Sequence, residues 1–159
     1  MSSDAFLAAM AGRFDRWWWS GGLSPTALGD ALGARLAPAP IRVGGRERLQ
    51  TVITVVGQPY PVRLRWTTDG ELDLVALSEP AVDPSWEAVL NALGEPDIVH
   101  AHGRGPVPGG DQRCHLDRGL TVFDSGDLGY QAVWLYPPLS AEEYPEHTGA
   151  FEPIRRERR

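Results

Sequence analysis

The sequence predicts an α+β fold built from short helices and antiparallel hairpins, and three observations carry that prediction. Apolar residues three and four apart mark helical segments near the start and again near the middle. β-branched and aromatic runs fill the stretches between them. Gly and Pro stand at the ends of nearly every run, where they act as starts, stops and turns.

Taken in order, the first element is a helix from Ser3 to Trp19, with Phe6, Met10, Phe14 and Trp17/Trp18 recurring at helical spacing and Gly21-Gly22 ending it. Ser24 caps a second helix, Pro25 fits its first position, and Leu23 can staple onto Leu28. Leu28, Leu32 and Leu36 form its apolar line, and Pro38-Ala39-Pro40 stops it. Strands follow at Ile41–Val43, Leu49–Val56, Tyr60–Trp66 and from Leu72 onward. A three-residue loop, Thr68-Asp69-Gly70, pairs Trp66 with Leu72, Arg65 with Asp73 and Leu64 with Leu74. That register makes one apolar face of Val62, Leu64, Trp66, Leu72, Leu74 and Ala76, and one exposed charged face of Arg63, Arg65, Glu71 and Asp73.

Asp83-Pro84 opens a third helix with Trp86, Val89, Leu90 and Leu93 on one side, and Gly94 and Pro96 end it. Further strands are expected at Ile98–His102, Arg113–Leu116, Leu120–Phe123 and Tyr130–Tyr136, with a Gly/Pro-rich loop over 103–112. Ser140-Ala141-Glu142-Glu143 is a capping box, and Pro145 is expected to limit its helix to about a turn. Residues 1–150 therefore read as a single α+β domain and 151–159 as a flexible basic tail. Segments 24–79 and 83–138 share one order, a Pro-started helix and about four strands. They are either a tandem repeat or two unrelated halves of one sheet.

Composition limits the function classes. The chain has 159 residues, enough to bury a core, and its one cysteine, Cys114, excludes an internal disulfide. All 15 basic residues are arginine, which excludes Schiff-base lysine chemistry and a P-loop lysine. Residues 1–65 carry a net charge of +4, residues 66–154 carry −13, and the whole chain carries −6. That balance argues against a broad basic face for nucleic acid. Met1-Ser2-Ser3-Asp4 lacks the features of a signal peptide, and no run approaches the length of a membrane span, so the expected compartment is the cytoplasm.

The stretch from Leu93 to Tyr144 contains a helix ending in Leu-Gly-Glu-Pro-Asp, then Arg118-Gly119-Leu120, a final strand, and Pro138-Leu139-Ser140-Ala141-Glu142-Glu143-Tyr144. This order resembles small bacterial proteins of the toxin-immunity type, and it is loosely similar to the helix-and-sheet repeats of beta-lactamase-inhibitor-like domains. The resemblance implies a binding protein and carries no named functional residues with it.

Three groups could carry chemistry. His100, His102, Cys114 and His115 offer zinc or copper ligands, and His100, His102 and His115 with Asp117 would be the catalytic set of a small enzyme. Cys114 and His115 point to opposite faces of a strand, so the favoured reading has no metal or other cofactor. Trp17-Trp18-Trp19 would fan across about 200° of a helix, which leaves one Trp as a candidate anchor for a partner. The acids Glu71, Asp73, Asp117, Asp124 and Asp127 could dock on a basic protein, standing in for phosphates in the cleft of a toxin that cuts nucleic acid. The expected function is therefore an immunity-type neutraliser of a cognate toxin. The alternatives are a small enzyme of specialised metabolism and a self-associating scaffold, a homodimer through the Trp triplet.

Overall fold

The protein's structure is a computed structural model describing residues 1–101, 110–126 and 129–149, so His102, Asp127 and the 151–159 tail lie outside the described residues. The elements run α1 (Ser3–Met10), α2 (Pro25–Leu32), β1 (Ala39–Val43), β2 (Arg46–Ile53), β3 (Val62–Trp66), β4 (Leu72–Ser78), α3 (Trp86–Leu93), β5 (Ile98–His100), β6 (Asp111–His115), β7 (Leu120–Asp124), β8 (Tyr130–Leu135) and α4 (Glu143–Thr148). The α+β reading holds. The strands form one eight-stranded antiparallel sheet in the order β1-β2-β3-β4-β8-β7-β6-β5. Segment 24–79 supplies α2 and the meander β1–β4, and segment 83–138 supplies α3 and the meander β5–β8. The last strand of each meander meets the other at the centre, where Ala76 faces Trp134. No helix among the described residues is long and apolar enough to cross a membrane.

Local chemistry sets the helix ends. Ser2, Ser24 and Ser85 each cap a helix by accepting a backbone N–H three residues on. Ser85, not Asp83, is therefore the cap of α3. The first helix is shorter than its apolar spacing predicts and stops at Met10. Gly12 follows at φ +83°, and a Cβ there would run into the Ala81 carbonyl. Phe14 and Trp17 reach the core from a non-helical segment instead. The last helix is longer than predicted. Pro145 lies in its first turn, where the missing N–H has no helical partner to lose. The capping box forms as predicted, with Ser140 N–H donating to Glu143 Oε2 at 2.9 Å and Glu143 N–H to Ser140 Oγ at 3.2 Å.

Both faces of the central strands are covered. Helices α1, α2 and α3 pack with Leu64, Trp66, Leu72, Val75, Leu77 and Val133 on one face. Tyr144 of α4 packs with Leu74, Ala76, Phe123 and Trp134 on the other. The predicted β3–β4 register is corrected accordingly. Gly70 sits at φ +85° in the turn and Trp66 faces Leu72, but Arg65 faces Leu74 and Leu64 faces Val75. Asp73 is the extra residue of a bulge. Leu74 and Ala76 thus move to the α4 face, away from Leu64 and Trp66.

The bulge brings Asp73 beside two guanidinium groups. Arg65 Nε donates to Asp73 Oδ1 at 2.7 Å, and Arg48 Nε donates to Asp73 Oδ2 at 2.8 Å. Arg65 Nη2 also donates to the His147 carbonyl at 2.5 Å, which ties α4 to the sheet. Arg65 and Asp73, expected in solvent, are only 1% and 2% exposed. Replacing Asp73 by Asn strands two arginines, so we expect a loss of about 3 kcal/mol or more, read from the urea midpoint. The exposed Glu71→Gln should shift that midpoint by no more than about 0.5 kcal/mol equivalent.

Candidate functional site

One end of the sheet gathers the surface residues of interest, and the registers show why. Leu120 and Val75 both face Leu135, so the β3–β4 turn and the β6–β7 turn lie at the same end. The segment from Trp17 to Gly22 runs across that end. Trp19 N–H donates to the Arg118 carbonyl at 3.0 Å, and Trp17 Nε1 donates to the Gly119 carbonyl at 3.3 Å. A Cβ built on Gly22 would meet Glu71 Cβ at 3.4 Å. Gly119 is at φ +72°, and a Cβ there would collide with the Tyr136 carbonyl and crowd Trp19. Only glycine fits that crossing.

The three tryptophans are therefore not helical, and they divide by alternation. Trp17 is 3% exposed, Trp19 is half-buried with its ring 6.2 Å from Trp17, and Trp18 is 54% exposed. The Arg118 guanidinium lies 4.8 Å from the centre of the Trp18 ring, within cation–π range. Arg118 Nη2 also donates to the Ala92 carbonyl near the end of α3 at 3.2 Å. Trp18 is thus exposed yet held in place, beside a shallow cleft of about 350 Å³ that it shares with Arg13, Arg16 and Ser20. Glu71 and Asp117 are exposed on the two flanking turns.

The other acids do not join this surface. Asp73 is buried in its ion-pair network. Asp124 lies at the opposite end of β7, where Oδ1 accepts the Gly126 N–H at 2.8 Å and Oδ2 stands 3.8 Å from Arg113 Nε. Asp127 is outside the described residues.

The histidine–cysteine group is split by the sheet. His100 and Cys114 share the α4 face, where His100 stacks on Tyr144 at 5.8 Å. His115, next to Cys114 along β6, points to the other face, and His102 lies outside the described residues. Among the described residues no three His, Cys, Asp or Glu side chains are placed to hold a metal. Cys114 is fully buried, and burial pushes its thiol above the ordinary range. Asp117 is exposed on the β6–β7 turn, and the carboxylate that acts on His115 is Asp97 instead.

Sequence reasoning missed Arg118 and His147. Arg118 was readable as the residue before the glycine of a tight turn, but its stacking on Trp18 depends on chain crossing at long range. No known protein family, curated protein or solved structure matches the chain.

Burial is the main cause that lowers both His147 and His115 below the ordinary histidine range. The nearby Asp73 and Asp97 oppose it, and Arg65, Arg48, Arg118 and Arg113 reinforce it. A histidine lowered in the folded state takes up its proton more readily when unfolded, so its contribution is complete above about pH 6.5 and is lost as pH falls below that. We expect the urea midpoint to drop between pH 7.5 and 5.5, and His147→Gln to flatten part of that slope. Cys114 should stay unreactive to Ellman's reagent in the native protein and react fully once urea unfolds it.

Proposed function

We infer that this chain is a cytosolic binding protein of the immunity type, which neutralises a basic toxin domain through the sheet end bearing Trp18, Glu71 and Asp117. The exposed but clamped Trp18 carries this reading. An aromatic ring held in place at the surface loses little freedom on binding, which is the property of an interface anchor. Arg118, stacked on the ring, is already engaged by Trp18 and by the end of α3, and Arg13 and Arg16 line the cleft on the α1 side of the ring, so the carboxylates of this surface are those of the two flanking turns. Such a rim suits a cleft lined with arginine and lysine, with Glu71 and Asp117 in the places of phosphates. Asp73 has no part in this contact, and Asp124, at the other end and facing Arg113, stays outside it. The enzymatic alternative draws no support from His100 and His115, which the sheet separates.

The test starts from the protein recovered by affinity capture with the full chain. Trp18→Ala should speed dissociation about 30-fold, the equivalent of a 2 kcal/mol hot spot, with little change in thermal stability. Glu71→Arg combined with Asp117→Arg should slow association and blunt its dependence on salt. Dissociation unchanged by Trp18→Ala, together with association indifferent to the charge reversal, would rule out this surface.

A further inference from the structure

The opposite polarity is concentrated on the α4 face of the sheet. There the strand registers align Val52, Arg63, Ala76, Trp134, Thr121 and Cys114 in one row. Ala76 is small, and the Arg63 side chain crosses it to place its guanidinium 5.5 Å from the centre of the Trp134 ring. Arg48 and Arg65 lie on the same face, and both share the single carboxylate of Asp73. Arg46 is matched by Glu146 at 3.1 Å. Four arginines, Arg46, Arg48, Arg63 and Arg65, thus lie on this face, and carboxylates pair with Arg46, Arg48 and Arg65.

Among the described residues, three arginines have a buried guanidine nitrogen without a hydrogen bond: Arg63 Nε, Arg113 Nε and Arg118 Nη1. The other two have an outlet. Arg113 faces Asp124, and Arg118 bonds the Ala92 carbonyl. Arg63 has neither a carboxylate nor a carbonyl partner among the described residues. Burial and the adjacent Arg65 guanidinium both disfavour its charge. A half-buried arginine remains charged, and among the described residues no carboxylate pairs with it.

We propose that Arg63, lying on Trp134, anchors a carboxylate-binding site on this face of the sheet. The planar guanidinium matches a carboxylate through two parallel N–H···O bonds, and the Trp134 ring fixes the plane in which they form. Val52, 57% exposed, and the exposed Ser78 flank the position, so an apolar stem and a hydroxyl-bonding oxygen can be accommodated beside the anion. The carboxylate comes either from a free small dicarboxylate or from an acidic side chain of a protein. This site is independent of the Trp18 surface, which lies at the end of the sheet and bears acids.

The experiment uses the full chain labelled with ¹⁵N. The Arg63 Nε–H and Trp134 Nε1–H signals are identified by their loss in Arg63→Gln and Trp134→Phe. Wild-type protein is then titrated with succinate and, separately, with a blocked triglutamate peptide, with ionic strength held constant by sodium chloride. Both signals should move saturably with at least one probe, and Arg63→Gln should weaken that binding at least tenfold. Arg63→Lys, which keeps the charge and loses the fork, should weaken it less than Arg63→Gln. Saturation by succinate identifies a free small acid, and saturation by the peptide alone identifies a protein side chain. Shifts that fail to saturate with either probe, or saturation untouched in Arg63→Gln, overturn the proposal. Arg63→Lys also removes the Arg63 Nε–H signal and identifies it if Arg63→Gln does not fold, and the wild-type titrations then decide the matter.

Discussion

A single buried carboxylate organises the side of the sheet that carries α4. Asp73 neutralises Arg65 and Arg48 at once, and the spare N–H group of Arg65 reaches the His147 carbonyl. A six-residue helix has no stability of its own, so α4 exists because the sheet holds it. Tyr144 supplies the apolar part of that hold, with its hydroxyl donating to Gln112 Oε1 at 2.9 Å. Desolvating three charges is expensive, and the net gain over apolar residues is small at best. What the network does supply is register. Only the bulge that turns Asp73 toward Arg48 and Arg65 leaves no buried carboxylate without a partner.

The same logic of long-range fixing creates the exposed ring at the sheet end. Trp17 donates to the Gly119 carbonyl and is buried. In an extended segment, neighbours alternate in direction, so a buried Trp17 and a half-buried Trp19 turn Trp18 outward. Gly119 allows the crossing because a side chain there would strike the Tyr136 carbonyl, and that carbonyl's residue is itself bonded back, Tyr136 N–H to Gly119 O at 2.9 Å. The exposure of Trp18 thus follows from packing decided by its neighbours, and Arg118 then fixes the ring's position.

Much of the fold was legible because it is written in local chemistry. Ser24-Pro25, the Ser140/Glu143 box and the glycine at position 70 act within four residues, and each does what its chemistry requires. The register of β4 was not legible. Leu72-Asp73-Leu74-Val75-Ala76-Leu77 is apolar in both alternations, so apolar pattern cannot choose between faces when both are buried. The overlong first helix has a related cause. Phe14 and Trp17 continue the helical spacing by sequence, but they are core residues delivered by a segment that leaves the helix at Gly12. Of the acids expected at a binding surface, Glu71 and Asp117 sit on turns, where exposure is the rule. Asp73 sits between leucines in a strand, and that context marks an ion pair.

Arg63 shows how an unexplained charge differs from an explained one. Arg65 is two residues along the same strand and on the same face, and its burial is matched by a carboxylate and a carbonyl. Folding gives Arg63 no such match: its neighbours across the sheet are Val52 and Ala76, and its ring contact, Trp134, is already packed edge-to-face on Phe123 at 4.9 Å. An aliphatic side chain at that position would cover Trp134 without burying a guanidinium nitrogen that lacks a partner. Among the described residues the Trp134 ring is the partner that the fold gives the Arg63 guanidinium, and an anion drawn from outside the chain would add the charge match that Asp73 gives Arg65.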